Sequence, residues 1–304
     1  MLENRIIDTL RFFSVQDVPL TLFELHKYLL TDVATLTQLQ NEKFELTTTL
    51  PERLSVSIST LARVLHELVE QGQVAENFGY YALPKNVSSI KERWRGHSFG
   101  VIRERLIRRF SRVLQHIPFV RGVGLAGSQA MGLEKEGSDI DLFVITDANF
   151  LWIARTALTF VLQILGVRRH GVRIANRFCL NHYLAGCQSL PERNLYTALE
   201  YAKLRPLVCS SSIVNFLELN RTWIETYFSN FKPIPSNRKK SSVIQWFLEL
   251  LLRNRVGTVL ERLLGKLQIR RIHTEEFVVV RDNELSFHPN SKQEKILRDF
   301  FATL

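Results

Sequence analysis

One stretch constrains this chain more than any other: VGLAGSQAMGLEKEGSDIDLFVI, residues 123–145. It reads as a strand, a tight Gly-Ser turn, a short helix, a loop, and a second strand that begins Asp-Ile-Asp. Gly127, at the end of the first strand, lets the backbone come close to a ligand. Ser128 opens the short helix and offers a hydroxyl and N–H groups where the helix dipole favours anions, which suits a chain of phosphates. Asp139 and Asp141 are two apart on a strand and so point to one face. Two carboxylates that close repel unless a cation sits between them, and hard oxygen ligands suit Mg2+ or Mn2+. A Gly-Ser pair alone or an Asp-x-Asp triplet alone is common. Their ordered combination is not, and it marks where metal and phosphate are expected to meet.

Around this stretch strand and helix alternate: Val120 to Ala126, Ile140 to Ile145 and Arg177 to Leu184 read as strands, Leu151 to Leu165 as a long helix. Upstream, Leu2, Ile6, Leu10 and Phe13 mark one helix face. Thr21 and Glu24 sit at capping-box spacing at the start of a second helix, and Leu61, Val64, Leu65 and Leu68 mark a third, stopped by Gly72. An irregular insertion, about residues 31 to 55, separates the second from the third. A hairpin turning at Asn77-Phe78-Gly79 follows, and three helices plus such a hairpin make a winged helix. Pro84 to Ser89 reads as a linker. Downstream, residues 193–204, 212–228 and 243–267 read as helices, then come a hairpin turning at Asp282-Asn283 and a last helix from Lys292 to Phe301. The expected fold is α+β: a winged helix over residues 1–86, an α/β domain over 87–206, and a mainly helical region with a short hairpin over 207–304.

The net charge of +10 is unevenly spread. Residues 1–86 hold seven Lys/Arg against eleven Asp/Glu, a net of −4, which leaves +14 on residues 87–304. RNA or DNA is therefore expected to meet the part after residue 87, where the segment 90–116 is rich in arginine. An acidic winged helix fits a protein contact, such as a homodimer, better than it fits phosphates. Three cysteines without a CxxC pair argue against a disulfide framework or a zinc ribbon and for a reducing cytoplasm. The N-terminus does not read as a signal peptide. The most apolar stretch, Leu151 to Gly166, contains Arg155 and falls short of the roughly 20 residues of a membrane span, so no membrane partner is expected.

With Gly127, Ser128, Asp139 and Asp141 in this order, the chain resembles the DNA polymerase beta-like nucleotidyltransferase superfamily. It is also similar, at GSDIDLFVI, RFCLNHYL, NLYTALEYAKLRPL and LSFHP, to uncharacterised prokaryotic proteins that join an N-terminal winged helix to such a domain. The resemblance implies a Mg2+-dependent (or Mn2+-dependent) transferase that moves an NMP from ATP or another NTP to a hydroxyl on an RNA end, a protein or a small molecule. Asp139 and Asp141 would hold the metal and carry catalysis, with Gly127, Ser128 and Gln129 on the nucleotide. Arg169 and Arg173, in a run of arginines that includes no acid, are expected at the phosphates or the acceptor.

Many members of that superfamily carry a third carboxylate on a later strand. The strand here reads RFCLNHYL and has none. Strict alternation puts Cys179, Asn181 and Tyr183 on one side and Phe178, Leu180 and His182 on the other, which makes Asn181 the stand-in. An amide ligates through oxygen but takes no proton. The missing function then falls to a one-metal transfer, to an acid from elsewhere such as Glu200, to His182, or is absent. Two rival expectations follow: a nucleic-acid-binding regulator with a degenerate nucleotide-binding domain, and a toxin-type modifier of RNA or protein.

Overall fold

The computed structural model describes residues 1–41, 55–133, 135, 137–187, 193–208, 210–233, 242–272, 279–281, 283–287 and 290–304. Over these residues the fold is α+β. It opens with α1 (Leu2–Ser14), β1 (Leu20–Thr21), α2 (Leu22–Lys27), α3 (Val33–Asn41), α4 (Ile58–Glu70), β2 (Ala75–Asn77) and β3 (Tyr80–Ala82). The three strands pair in the order β1-β3-β2. Helix faces follow the apolar spacing: α1 buries Ile6, Leu10 and Phe13, and α4 buries Leu61, Val64, Leu65 and Leu68. The Thr21–Glu24 capping box forms, with Thr21 N donating to the Glu24 carboxylate at 2.9 Å. Two expectations fail in this region. Residues 33–41 of the supposedly irregular insertion are helical, and residues 42–54 lie outside the described residues. Pro84 to Ser89 is no linker, because Pro84–Asn86 forms a 3-10 turn that runs directly into α5 (Val87–Leu114).

The chain continues through β4 (Val120–Leu125), β5 (Ile140–Thr146), α6 (Leu151–Ile164), β6 (Phe178–Ala185), α7 (Leu195–Ala202), β7 (Arg205–Val208) and α8 (Ser210–Tyr227). It ends with α9 (Val243–Leu252), α10 (Arg255–Ile272), β8 (Val279–Arg281), β9 (Glu284–Ser286) and α11 (Asn290–Phe301). These strands make one sheet in the order β7-β4-β5-β6-β9-β8, in which β5 and β6 run parallel across the α6 connection. Both faces of the sheet are covered. Ile140, Leu142, Val144 and Phe178 pack with α5 and α6 on one side; Phe143, Ile145 and Leu184 pack with α7, α8 and the N-terminal helices on the other. Each large apolar side chain buried in this way contributes roughly 1.5–3 kcal/mol.

The N-terminal elements share that second core rather than standing apart. Phe12 meets Phe300 edge to face, Tyr28 meets Phe228, and Arg5 donates to Leu30 O at 2.8 Å and to Ser229 Oγ at 2.5 Å. Two arginines of the basic segment serve the same docking. Arg93 reaches Glu24 at 2.5 Å and Met131 O at 2.8 Å, and the buried Arg103 donates to Asn176 Oδ1 at 2.7 Å and to Lys135 O at 2.5 Å. The helix expected over 243–267 is broken in two, because the Asn254 side chain accepts from Gly257 N at 3.1 Å and starts a new helix. Trp223 and Tyr227 are core residues, as aromatic stripes usually are, whereas Trp246 is exposed.

Candidate functional site

β5 delivers its acids as period two requires. Asp139 and Asp141 lie on the α7 side of the sheet, and their carboxylate oxygens and the Cys179 sulfur all fall within 4.8 Å of one another. The Gly-Ser turn closes over the same point. Ala126 N donates to Asp141 O at 3.0 Å, and Gly127 (φ +62°) passes so near that a Cβ would lie 2.2 Å from Asp141 Oδ2. Any side chain there would displace the carboxylate, in a backbone conformation that already favours glycine. Ser128–Met131 is a single 3-10 turn closed by left-handed Gly132. It is too short to carry the dipole expected of a helix, so the turn offers its N–H groups and the exposed Ser128 hydroxyl instead. Gln129 is buried beneath it.

β6 departs from alternation. Asp141 pairs with Cys179 and Leu142 with Leu180, but Phe143 pairs with His182, which leaves Asn181 as the extra residue of a β-bulge. Cys179 and Asn181 face the Asp pair. Beyond the bulge the faces exchange: His182 packs on Phe143 with ring centroids 4.9 Å apart, while Tyr183 turns into the opposite core. Tyr183 therefore does not share a side with Cys179 and Asn181, as strict alternation required. His182 pairs with Glu284 at 3.4 Å rather than with either aspartate.

A hydrogen-bonded chain runs across the site. The Cys179 thiol donates to Asn181 Oδ1 at 2.8 Å, Asn181 Nδ2 donates to Asp141 Oδ1, and Arg169 donates to Asp139 Oδ2. Arg169 reaches this position because residues 167–169 run beside the start of β6, with Arg169 N donating to Phe178 O at 2.9 Å. Arg173 is exposed in the turn that His170 and Arg173 close, and it makes no described contact with the Asp pair.

The helix α7 brings a third carboxylate to the same cleft. Gly127, Ser128, Asp139, Asp141, Glu200 and Lys203 line a cavity of about 810 Å3, in the size range of small-molecule sites. Glu200 pairs with the buried Lys203 Nζ at 2.5 Å. Burial, then Asp139 and then Glu200, push the Asp141 carboxyl up to about 7, against Lys203 and Arg169. Burial and the two aspartates push the Cys179 thiol up to about 12, so it is neutral at pH 7. Burial and Glu200 also raise the Tyr196 phenol. This excess of negative charge in a poorly solvated place is what a divalent cation relieves, and Asp139 and Asp141 are the hard ligands present for it.

The spacing of β6 did not set Cys179 opposite Asp141. That placement is a matter of register, and parallel register is not written in strand spacing. Tyr196 and Lys203 were legible once Glu200 was chosen, since residues four before and three after it share its helix face.

Among the described residues no helix is long and apolar enough to cross a membrane. No curated protein and no solved structure matches the chain. Residues 104–178 match the family model described as nucleotidyltransferase domain, a stretch that takes in Gly127, Ser128, Asp139, Asp141, Arg169 and Arg173 and stops just short of Cys179 and Asn181. Over that stretch, which carries the Gly-Ser turn and the Asp pair, the chain is similar to nucleotidyltransferases, whose domains use a divalent metal and a nucleotide.

Proposed function

We propose that this protein is a Mg2+-dependent nucleotidyltransferase that moves an NMP from an NTP to a hydroxyl acceptor. The carrying observation is the contact between Gly127 and Asp141: it joins a turn suited to phosphates and a carboxylate pair suited to a cation in one place. Asp139 and Asp141 would hold the metal ion, which when bound supplies positive charge to the phosphates and to the attacking oxygen. The Gly127-Ser128 backbone and the Ser128 hydroxyl receive triphosphate oxygens. Arg169 lies beside Asp139, placed to turn to a phosphate. Glu200 is the third carboxylate, supplied by α7 rather than by β6, and Lys203 orients it. The acceptor oxygen bonds to the α-phosphorus, the bond to the β-phosphate oxygen breaks, pyrophosphate leaves, and the acceptor proton passes to the Glu200 carboxylate.

We read residues 1–86 as a winged helix that serves a protein contact, 87–206 as the catalytic domain and 207–304 as a helical region beside it. The outward residues of α4 support the first of these readings, since Arg63 pairs with Glu67 and His66 with Glu70, which leaves little net charge for phosphates. Titration calorimetry of ATP, CTP, GTP and UTP with Mg2+, on the wild type and on Asp139→Ala/Asp141→Ala, tests the site. Binding of at least one NTP by the wild type alone is expected; equal binding by both proteins removes the assignment. Asn181 in place of a strand acid favours a second reading, a nucleotide-binding regulator. That reading predicts the same binding without pyrophosphate release under any acceptor.

A further inference from the structure

The two helices α9 and α10 are seated the wrong way round for a core. Each turns its acid and its glutamine inward, and most of its large apolar residues outward. On α9 the buried residues are Gln245 and Glu249. Gln245 donates to Ile117 O at 3.1 Å and Val120 O at 2.8 Å, and Glu249 accepts from Phe119 N at 2.9 Å and from Arg121 at 2.7 and 2.8 Å. On α10, Glu261 accepts from Trp152 N at 2.7 Å and Ile153 N at 2.8 Å, capping the start of α6. Gln268 bonds Thr156 at 2.8 Å, and Gly265 lets the helix lie against Trp152. The only acids of both helices are thus turned into the protein.

The outward face is apolar and cationic. Val243, Trp246, Phe247 and Leu250 on α9 are each more than half exposed. So are Val256, Val259, Leu263 and Leu267 on α10, which repeat at helical spacing along one stripe. Large apolar side chains exposed in register along a helix, rather than scattered singly, mark an interaction surface. Arg255, Arg262, Lys266 and Arg270 are exposed along one flank of the α10 stripe, and no acid lies among them.

We propose that the outward face of α9 and α10 lies on an anionic phospholipid surface, with the Trp246, Phe247 and leucine side chains in the acyl boundary and the flanking cations on lipid phosphates. Charge complementarity selects this occupant over a second copy of the chain. A two-fold pairing of this face with itself adds like charges and supplies no acid, whereas a helix with Lys/Arg at its flank and Trp/Phe/Leu on its face is the form that settles in a membrane interface. The expectation of no membrane partner concerned crossing the bilayer, and a surface-lying pair of helices needs no spanning length. The face is also on the α6 side of the sheet, away from α7 and its Glu200, so a docked molecule keeps its cleft open to nucleotide and acceptor.

The test is co-sedimentation of the full chain with vesicles of phosphatidylcholine alone and of phosphatidylcholine with phosphatidylglycerol at 7:3. Binding to the anionic vesicles only, weakened by salt, is expected. Each Lys or Arg at such a surface is worth about fivefold in partitioning, so Arg262→Glu/Lys266→Glu is expected to weaken binding at least ~25-fold. Trp246→Ser/Phe247→Ser/Leu263→Ser, all at exposed positions, removes the apolar half and is expected to abolish it. No vesicle binding by the wild type overturns the proposal. So does equal binding by wild type and variants, or a concentration-dependent dimer that the serine variant abolishes while vesicles bind nothing. Asp139→Ala/Asp141→Ala is expected to bind vesicles like the wild type, so this result stands or falls apart from the nucleotide assignment.

Discussion

The strands β5 and β6 lie side by side, and they obey the rule of alternation differently. In β5 and the residue before it, every second side chain falls on one face of the sheet: Asp139 and Asp141 at the cleft, Phe143 and Ile145 in the core behind them. In β6 one extra residue, Asn181, interrupts the count. Cys179 and Asn181 face the aspartates, and then His182 stays on their side while Tyr183 crosses to the opposite core. The regular strand carries the acids that resemble a known pattern. The bulged strand carries the departure from it, an amide and a thiol in place of an acid. Beside the bulged strand, α7 brings a carboxylate of its own, Glu200, with Lys203, to the lining of the same cleft.

That contrast can be broken by substitution. Asp141→Ala, on the regular strand, is expected to cut nucleotide transfer by roughly a thousandfold, the several kcal/mol a metal clamp supplies. Glu200→Gln is expected to cost about a hundredfold or more, the usual worth of a general base, while Asn181→Ala costs less than about tenfold. A larger loss from Asn181→Ala than from Glu200→Gln in a pyrophosphate-release assay would return the third role to β6. Gly127→Ala sharpens the view of β5. A methyl group 2.2 Å from Asp141 Oδ2 at φ +62° is expected to cost about 1–3 kcal/mol in urea unfolding and to weaken NTP binding.

The pH dependence separates the strands further. The Asp141 carboxyl is held near 7 in the folded protein against an ordinary value of 3.8, so between these values the folded state keeps a proton that the unfolded state releases. Stability present at pH 5 is therefore expected to fall as pH rises through 7. In chelator, the Tm of the wild type should drop from pH 5 to pH 8 relative to Asp141→Asn, and a constant difference would contradict the burial of that charge. The smallest effect belongs to β6. The neutral Cys179 thiol is a poor ligand for a hard cation, so Cys179→Ser is expected to leave Mg2+-dependent NTP binding unchanged by calorimetry.

The same contrast explains what was legible in the sequence. The acids of β5, the Gly127 turn and the Thr21–Glu24 cap follow from local spacing, and local spacing is what a sequence displays. The bulge at Asn181 depends on how β6 registers against β5 and β9, which no residue within β6 announces. Arg169 was legible from its place in an arginine run, but Arg93 and Arg103 of the other basic run are consumed in packing α5 onto its neighbours. Residues 243–267 read as one helix, and nothing in their spacing says which way the apolar side chains of α9 and α10 point. There the inward bonds of Gln245, Glu249, Glu261 and Gln268 decide, and they turn the leucines to solvent.

The acids of β5 and the Gly127-Ser128 turn are proposed to make one metal–triphosphate site. Free Mn2+ measured by electron paramagnetic resonance, in titrations of wild type and Asp139→Ala/Asp141→Ala with and without NTP, tests it most directly. The wild type is expected to take up Mn2+, more tightly with NTP, and the double variant to lose both the uptake and the gain. Equal Mn2+ and Mn2+–NTP uptake by the two proteins would contradict it.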